Sequence, residues 1–138
     1  MEQEFVSYDQ ALRLKALGFD EPCVDILGDQ YLYRNSNFCR ANDGAITMFK
    51  SFDDELVTAP TYSQCFRWFR EKYRLMSCIT PCSDGEYIFT LYDLNKCNLE
   101  VFVEDIELFE SEDSYDICEE AELACLEKLI EIVESKSE

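Results

Sequence analysis

The chain has 138 residues, with thirty carboxylates against twelve cations, no histidine and a formal net charge of −18, so it is a strongly acidic protein long enough to bury a core. Its 47% apolar fraction, with ten Phe and eight Tyr, excludes disorder, and no run approaches the ~18 apolar residues of a membrane span. Such acidity repels phosphate backbones at long range, which disfavours ordinary DNA or RNA binding.

The opening residues MEQEFVSYDQ are acidic and lack the basic and apolar regions of a signal peptide, so a cytoplasmic location is expected. The eight cysteines are then expected to be thiols rather than disulfides. Cys65, Cys118 and Cys125 fall in helical patterns, where a thiol acts as a small hydrophobe. Cys78 and Cys82 form the one close pair; with no histidine and no second pair, a structural zinc site is not expected.

The first predicted element is a helix from Ser7 to Leu17. Ser7 and Gln10 have capping-box spacing, and Gly18 supplies a stop. Tyr8, Ala11 and Leu12 draw its apolar face loosely. CVDIL, a turn at Gly28–Asp29 and QYLYR predict a strand, turn and strand. NSNFCRANDG reads as a polar loop and AITMF as a third short strand. Thr58 and Pro60 suit the cap and first turn of a second helix. MSCIT, a turn at Ser83–Asp84–Gly85, and EYIFTLY predict a hairpin. A turn at Asp93–Lys96 leads to LEVFVEDIELF, whose Leu99, Val101 and Val103 alternate as in a strand with one buried face. ESEDS is a solvated loop. The last helix is expected from about Tyr115 to Ser135, capped by Ser114. Its acidic first turns suit the helix dipole. Cys118, Ala121, Cys125, Leu129, Ile132 and Val133 fall within roughly 120° of one another, widened by Leu126 and Ile130. Glu120, Glu127, Glu131 and Glu134 share the opposite side.

The expected class is α+β: an antiparallel sheet with helices packed on one face, in α-β-β-β-α order toward the C-terminus. The expected organisation is one domain, with an N-terminal helix and short strands over residues 1–57. A helix, a three-stranded meander and a C-terminal helix follow over 58–138. The order of the second part is similar to that of double-stranded-RNA-binding domains. In that family a basic cluster opens the last helix, whereas the matching stretch here is the acidic CEEAELAC, so duplex RNA binding is not expected.

The helix within PTYSQCFRWFREKYRL concentrates aromatics and cations. With Tyr62 at 0°, Cys65, Phe66, Phe69 and Tyr73 lie within about 50–60° of it and form a core stripe. Arg67, Arg70 and Arg74 gather at roughly 80–140°, beside Ser63. Trp68 and Lys72 lie on the other flank, which leaves Trp68 partly exposed. Two readings follow. In one, the arginines flank the core and pair with carboxylates of the same chain, including Glu71. In the other, Arg67, Trp68, Arg70 and Arg74 form a ligand- or partner-binding site. Guanidinium forks match phosphate and carboxylate, and an exposed Trp suits an interface or base stacking.

No catalytic residues stand out. Without histidine, serine and cysteine lack their usual general base, and the four glycines form no phosphate-binding loop. Among thirty acids, close carboxylate pairs arise by chance, and EDIELFESEDSYD lacks the glycine of a calcium loop. No cofactor, metal site or enzymatic activity is expected. The charge is uneven: residues 1–99 hold fifteen acids and ten bases, and residues 100–138 hold fifteen acids with only Lys128 and Lys136. This acidic third either confers solubility or presents a phosphate-like surface to a basic protein.

LKALGFDEPC, APTYSQCFRWFREKYRL and YDICEEAELACLEKLIEIVESK together resemble a group of small uncharacterised proteins of Bacteroidetes and their bacteriophages, including crAss-like phages. The resemblance covers roughly half of the chain and carries no catalytic residues; the stretch between Tyr92 and Ser114 is longer and more acidic than in that group. It implies a phage or mobile-element accessory protein acting in a bacterial cytoplasm. The leading expectation is therefore a non-enzymatic protein that binds a host or partner macromolecule. The alternative is a small-ligand binder that sequesters an anionic nucleotide at its arginine edge.

Overall fold

The structure, a computed structural model, describes residues 4–24, 27–34, 36–41, 56–97 and 103–137. It is an α+β protein. The backbone groups into two compact units, Met1–Thr61 and Tyr62–Glu138.

The first unit opens with α1, Tyr8–Ala16. Its capping box forms as the sequence predicts: the Gln10 amide donates to Ser7 Oγ and the Ser7 amide to Gln10 Oε1, each at 3.2 Å. At the other end Gly18 takes φ 100°, a left-handed conformation that glycine adopts without strain. The amide of Gly18 bonds the Lys15 carbonyl and that of Phe19 the Leu14 carbonyl, both at 3.0 Å, which completes a Schellman stop. The buried face differs from the expected one: Gln10, Ala11 and Leu14 are buried, while Tyr8 and Leu12 are half-buried.

The strands of this unit are β1 (Gln30–Arg34), β2 (Asn37–Ala41) and β3 (Leu56–Thr58), antiparallel in the order β2-β1-β3. Three expectations change here. The segment read as a polar loop holds β2, which pairs along all of β1 from Gln30↔Ala41 to Arg34↔Asn37. Its polar residues hide a period of two, with Cys39 and Ala41 packed by Leu32 on one face. Of the strand expected at CVDIL, the described residues form a single bridge, Val24↔Gln30, and Asp25 and Ile26 lie outside the described residues. Thr58 ends β3 rather than capping a helix, and the next helix begins only at Tyr62, beyond Pro60. The strand expected at AITMF lies outside the described residues. Phe5, Tyr31 and Phe38 cluster with centroids 4.8–6.1 Å apart. The Tyr33 hydroxyl donates to the Val6 carbonyl, so its polar end is satisfied in the interior.

The second unit runs α2 (Tyr62–Lys72), β4 (Leu75–Pro81), β5 (Tyr87–Asp93), a 3₁₀ turn (Leu94–Lys96), α3 (Val103–Ile106), β6 (Glu107–Glu110) and α4 (Cys118–Ser137). The strands form the expected antiparallel meander, β4-β5-β6. The β4–β5 turn closes at Gly85, φ 88°, where the Cys82 amide donates to Glu86 O at 2.7 Å. Asp93 caps the 3₁₀ turn through the Asn95 amide, 3.0 Å. The third strand is shorter than LEVFVEDIELF suggests. Leu99 and Val101 lie outside the described residues, and Val103 begins the one-turn α3.

Both long helices pack on this sheet and on each other. Their buried side chains include Cys65, Phe69, Ala121, Cys125, Leu126, Leu129, Ile130 and Val133, over Leu75, Phe89 and Leu91 of the strands. Burying a Leu or Phe stabilises the fold by about 1.5–3 kcal/mol each, so this stripe holds the unit together. Helix α4 starts three residues later than expected. The stretch before it is tied to β5 instead: Tyr115 bridges Tyr87, and the Ser114 hydroxyl donates to Glu86 rather than capping the helix. Among the described residues, no helix is long and apolar enough to cross a membrane.

Candidate functional site

Helix α2 carries the residues that the sequence singles out. Tyr62, Cys65, Trp68 and Phe69 are buried, and Phe66 and Tyr73 are half-buried. Trp68 is only 5% exposed, which corrects the expectation that its ring is presented to a ligand or partner. The physical reason lies on the wheel. The buried arc is centred between Tyr62 and Trp68, rotated roughly 60° from the stripe drawn on the aromatics alone. The indole packs edge-to-face on Phe69 and Tyr73, with centroids at 5.0 and 5.4 Å. The Lys72 ammonium lies 5.0 Å from the indole centroid, so the stem covers apolar surface while the charge stays wet.

This rotation separates Trp68 from the arginines. Arg67, Arg70 and Arg74 are all exposed, as is Ser63. Arg74 sits just past the helix with φ 58°, and its carbonyl accepts from the Leu94 amide at 2.8 Å. That bond and the left-handed turn fix where the arginine edge ends. Among the described residues, Arg70, Arg74 and Glu71 form no ion pairs, so the expected pairing of the edge through Glu71 is not seen. The structure thus brings three cations together on one edge without the stacking platform.

The acidic side of the second unit is more extensive. Glu107, Glu110, Glu112, Asp113, Asp116, Glu119, Glu120 and Glu131 are exposed, from β6 through the connection into α4. Lys128 reaches Glu131 at 3.9 Å and lies 4.4 Å from the Phe109 centroid. Burial and then the charge of Glu119 raise the carboxyl of Glu122, against a lowering hydrogen bond from Cys118. Burial, Glu122 and Glu119 raise the Cys118 thiol, and burial and Asp113 raise the Tyr115 hydroxyl. In each case the surroundings disfavour adding negative charge.

All eight cysteines are free thiols. Cys78 lies on β4 and Cys82 just beyond it, with three residues between them; at ~3.3 Å per residue the strand sets their α-carbons about 13 Å apart, too far to share a metal ion. Cys125 is fully buried, and burial pushes its thiol up from 9.0 to about 12 despite a hydrogen bond with Ser77. Such a thiol is a poor nucleophile at neutral pH. Among the described residues, no three Cys, Asp or Glu side chains gather as a metal site. Compared with known proteins, the chain matches no family model, no curated protein and no solved structure.

Proposed function

We propose that this is a non-enzymatic protein that binds a basic macromolecule, most simply another protein, through the acidic surface running from β6 into α4. The reading rests on one observation. Seven carboxylates there, Glu107, Glu110, Glu112, Asp113, Asp116, Glu119 and Glu120, are exposed and form no ion pairs among the described residues. A surface left so uncompensated steers cationic partners at long range and resembles a phosphate backbone in charge. Its setting would be a reducing bacterial cytoplasm, as a phage or mobile-element accessory protein that occupies a basic site on a host factor. Duplex nucleic acid and membranes are not partners in this reading.

The test is a capture experiment from host lysate with two baits: the native protein, and a variant with those seven carboxylates changed to the corresponding amides. The expected result is that native bait retains basic proteins that the variant does not, with retention falling as salt rises. Equal capture by both baits, insensitive to salt, contradicts the reading.

A second reading keeps the arginine edge, favoured by the absence of ion pairs at Arg70 and Arg74 among the described residues. With Trp68 buried, base stacking drops out, and the edge would hold the phosphates of an anionic nucleotide through guanidinium forks alone. A thermal shift with nucleotide triphosphates that vanishes in Arg70→Ala would support it; no shift with any nucleotide would remove it.

A further inference from the structure

In the order β4-β5-β6, β4 is an edge strand of the second unit. The ladder fixes which of its backbone groups face outward. The Cys82 amide donates to Glu86 O and the Leu94 amide to Arg74 O, and between them the register runs Thr80↔Ile88, Cys78↔Thr90 and Met76↔Tyr92. Hydrogen-bonded pairs alternate along an antiparallel ladder, so the even-numbered residues of β4 direct their amides and carbonyls to β5. The amides and carbonyls of Leu75, Ser77 and Ile79, with the carbonyl of Pro81, point away from the sheet and form no hydrogen bonds among the described residues. Proteins guard such edges with charge or short length. Strand β6 carries Glu107 and Glu110, β2 carries Arg40, and β3 has three residues. Strand β4 has seven residues, LMSCITP, and no charge, in a chain of which 30% is charged. Its proline sits at an outward position, where the missing amide leaves its own ladder intact.

We infer that β4 pairs antiparallel with β4 of a second copy of this chain about a two-fold axis, joining the two three-stranded sheets into one. One register overlaps the whole strand. It centres on Cys78, sets Ser77 against the partner's Ile79 and Leu75 against the partner's Pro81, and forms about six main-chain hydrogen bonds. The proline fits, because its carbonyl accepts from the partner's Leu75 amide. On the open face of the sheet, Met76, which is 41% exposed, falls beside the partner's Thr80, and the two copies of Cys78 meet at the axis. The ends are complementary in charge. Arg74 falls opposite the partner's Cys82 and so beside its Ser83–Asp84 turn; Arg74 and Asp84 are both exposed and form no ion pairs among the described residues. Self-repulsion of so acidic a chain also selects this edge. The acids of β6 lie on the opposite edge, so the two copies of β6 end five strand spacings apart, roughly 24 Å, beyond the Debye length of about 8 Å. The pairing does not depend on what the acidic surface binds.

The test is sedimentation velocity of the full-length protein under reducing conditions, from about 1 μM to about 1 mM. The native protein and Cys78→Ser should both pass from monomer to dimer as concentration rises. Cys78→Asp sets two carboxylates face to face across the axis and should weaken the dimer about tenfold or more. Cys78 is exposed, so neither variant disturbs the core. The register has its own readout, because partners in a non-hydrogen-bonded pair have Cα atoms about 4.5 Å apart, within disulfide reach. Diamide takes up two electrons and two protons from a pair of thiols as they join. It should link native chains, and Cys97→Ser chains, through Cys78 and leave Cys78→Ser chains unlinked. A monomer at every concentration overturns the inference, as does a Cys78→Asp dimer as tight as the native one. A dimer that diamide fails to link at Cys78, or a cross-link that survives Cys78→Ser, overturns it as well.

Discussion

Trp68 and Cys125 show how burial decides what a side chain does. The indole is enclosed between Phe69 and Tyr73, so its fluorescence should be blue-shifted and resist iodide quenching until the protein unfolds. Ready quenching of the folded protein would contradict its placement. The Cys125 thiol is held neutral, with its pKa raised from 9.0 to about 12. Between those values the folded chain keeps a proton that the unfolded chain loses, so folding stability should fall as pH rises through that window. Denaturation midpoints measured from pH 8 to pH 11 should decline in the native protein and decline less in Cys125→Ala. Identical slopes would show that the thiol does not carry the effect. Cys78 and Cys97 are exposed and should alkylate first. Phe69 has no exposure, and Phe69→Ala should cost about 3–5 kcal/mol, read as a lowered denaturant midpoint.

At the scale of elements, α4 combines a core stripe with like charges along its outer side. Glu122 is half-buried beside Glu119, and its folded pKa is raised above the ordinary 4.5. The folded state therefore favours the protonated form, and this carboxylate lowers stability once pH rises above that window. Glu122→Gln should raise stability at pH 7 by about 0.2–0.5 kcal/mol, the scale of a like-charge pair on a helix. The difference should shrink as pH falls below 4.5, and thermal melts of the two proteins across pH would check it. Helices of this kind are legible in sequence because the capping box of α1 and the period of α4 are local signals. Strand β2 was not legible as a strand: Asn37 and Arg40 give it a loop's composition, and only its partner β1 reveals the pairing. The ends of β6 and α4 were misplaced for a related reason. Tyr115 and Ser114 bond to residues about 28 positions away, contacts that no local pattern encodes. The arginine edge was legible from the wheel, whereas Trp68 was not, because the direction of the buried arc depends on what α2 packs against.

Across the whole chain the net charge of −18 is concentrated from residue 100 on, and most of the described acids there are exposed, from β6 through its connection into α4, while Glu122, Glu127 and Glu134 are half-buried. The class and the meander follow from patterning, but composition alone does not say whether this surface is for solubility or for recognition. Recognition makes a quantitative demand on salt. The most direct measurement is the dissociation constant of the native protein for a purified basic partner captured from lysate, taken from 50 to 200 mM salt and repeated with the seven-carboxylate amide variant. The account predicts that native affinity falls steeply as salt rises, and that the variant binds at least about tenfold more weakly with a shallower slope. Matching affinities and slopes for the two proteins would contradict it.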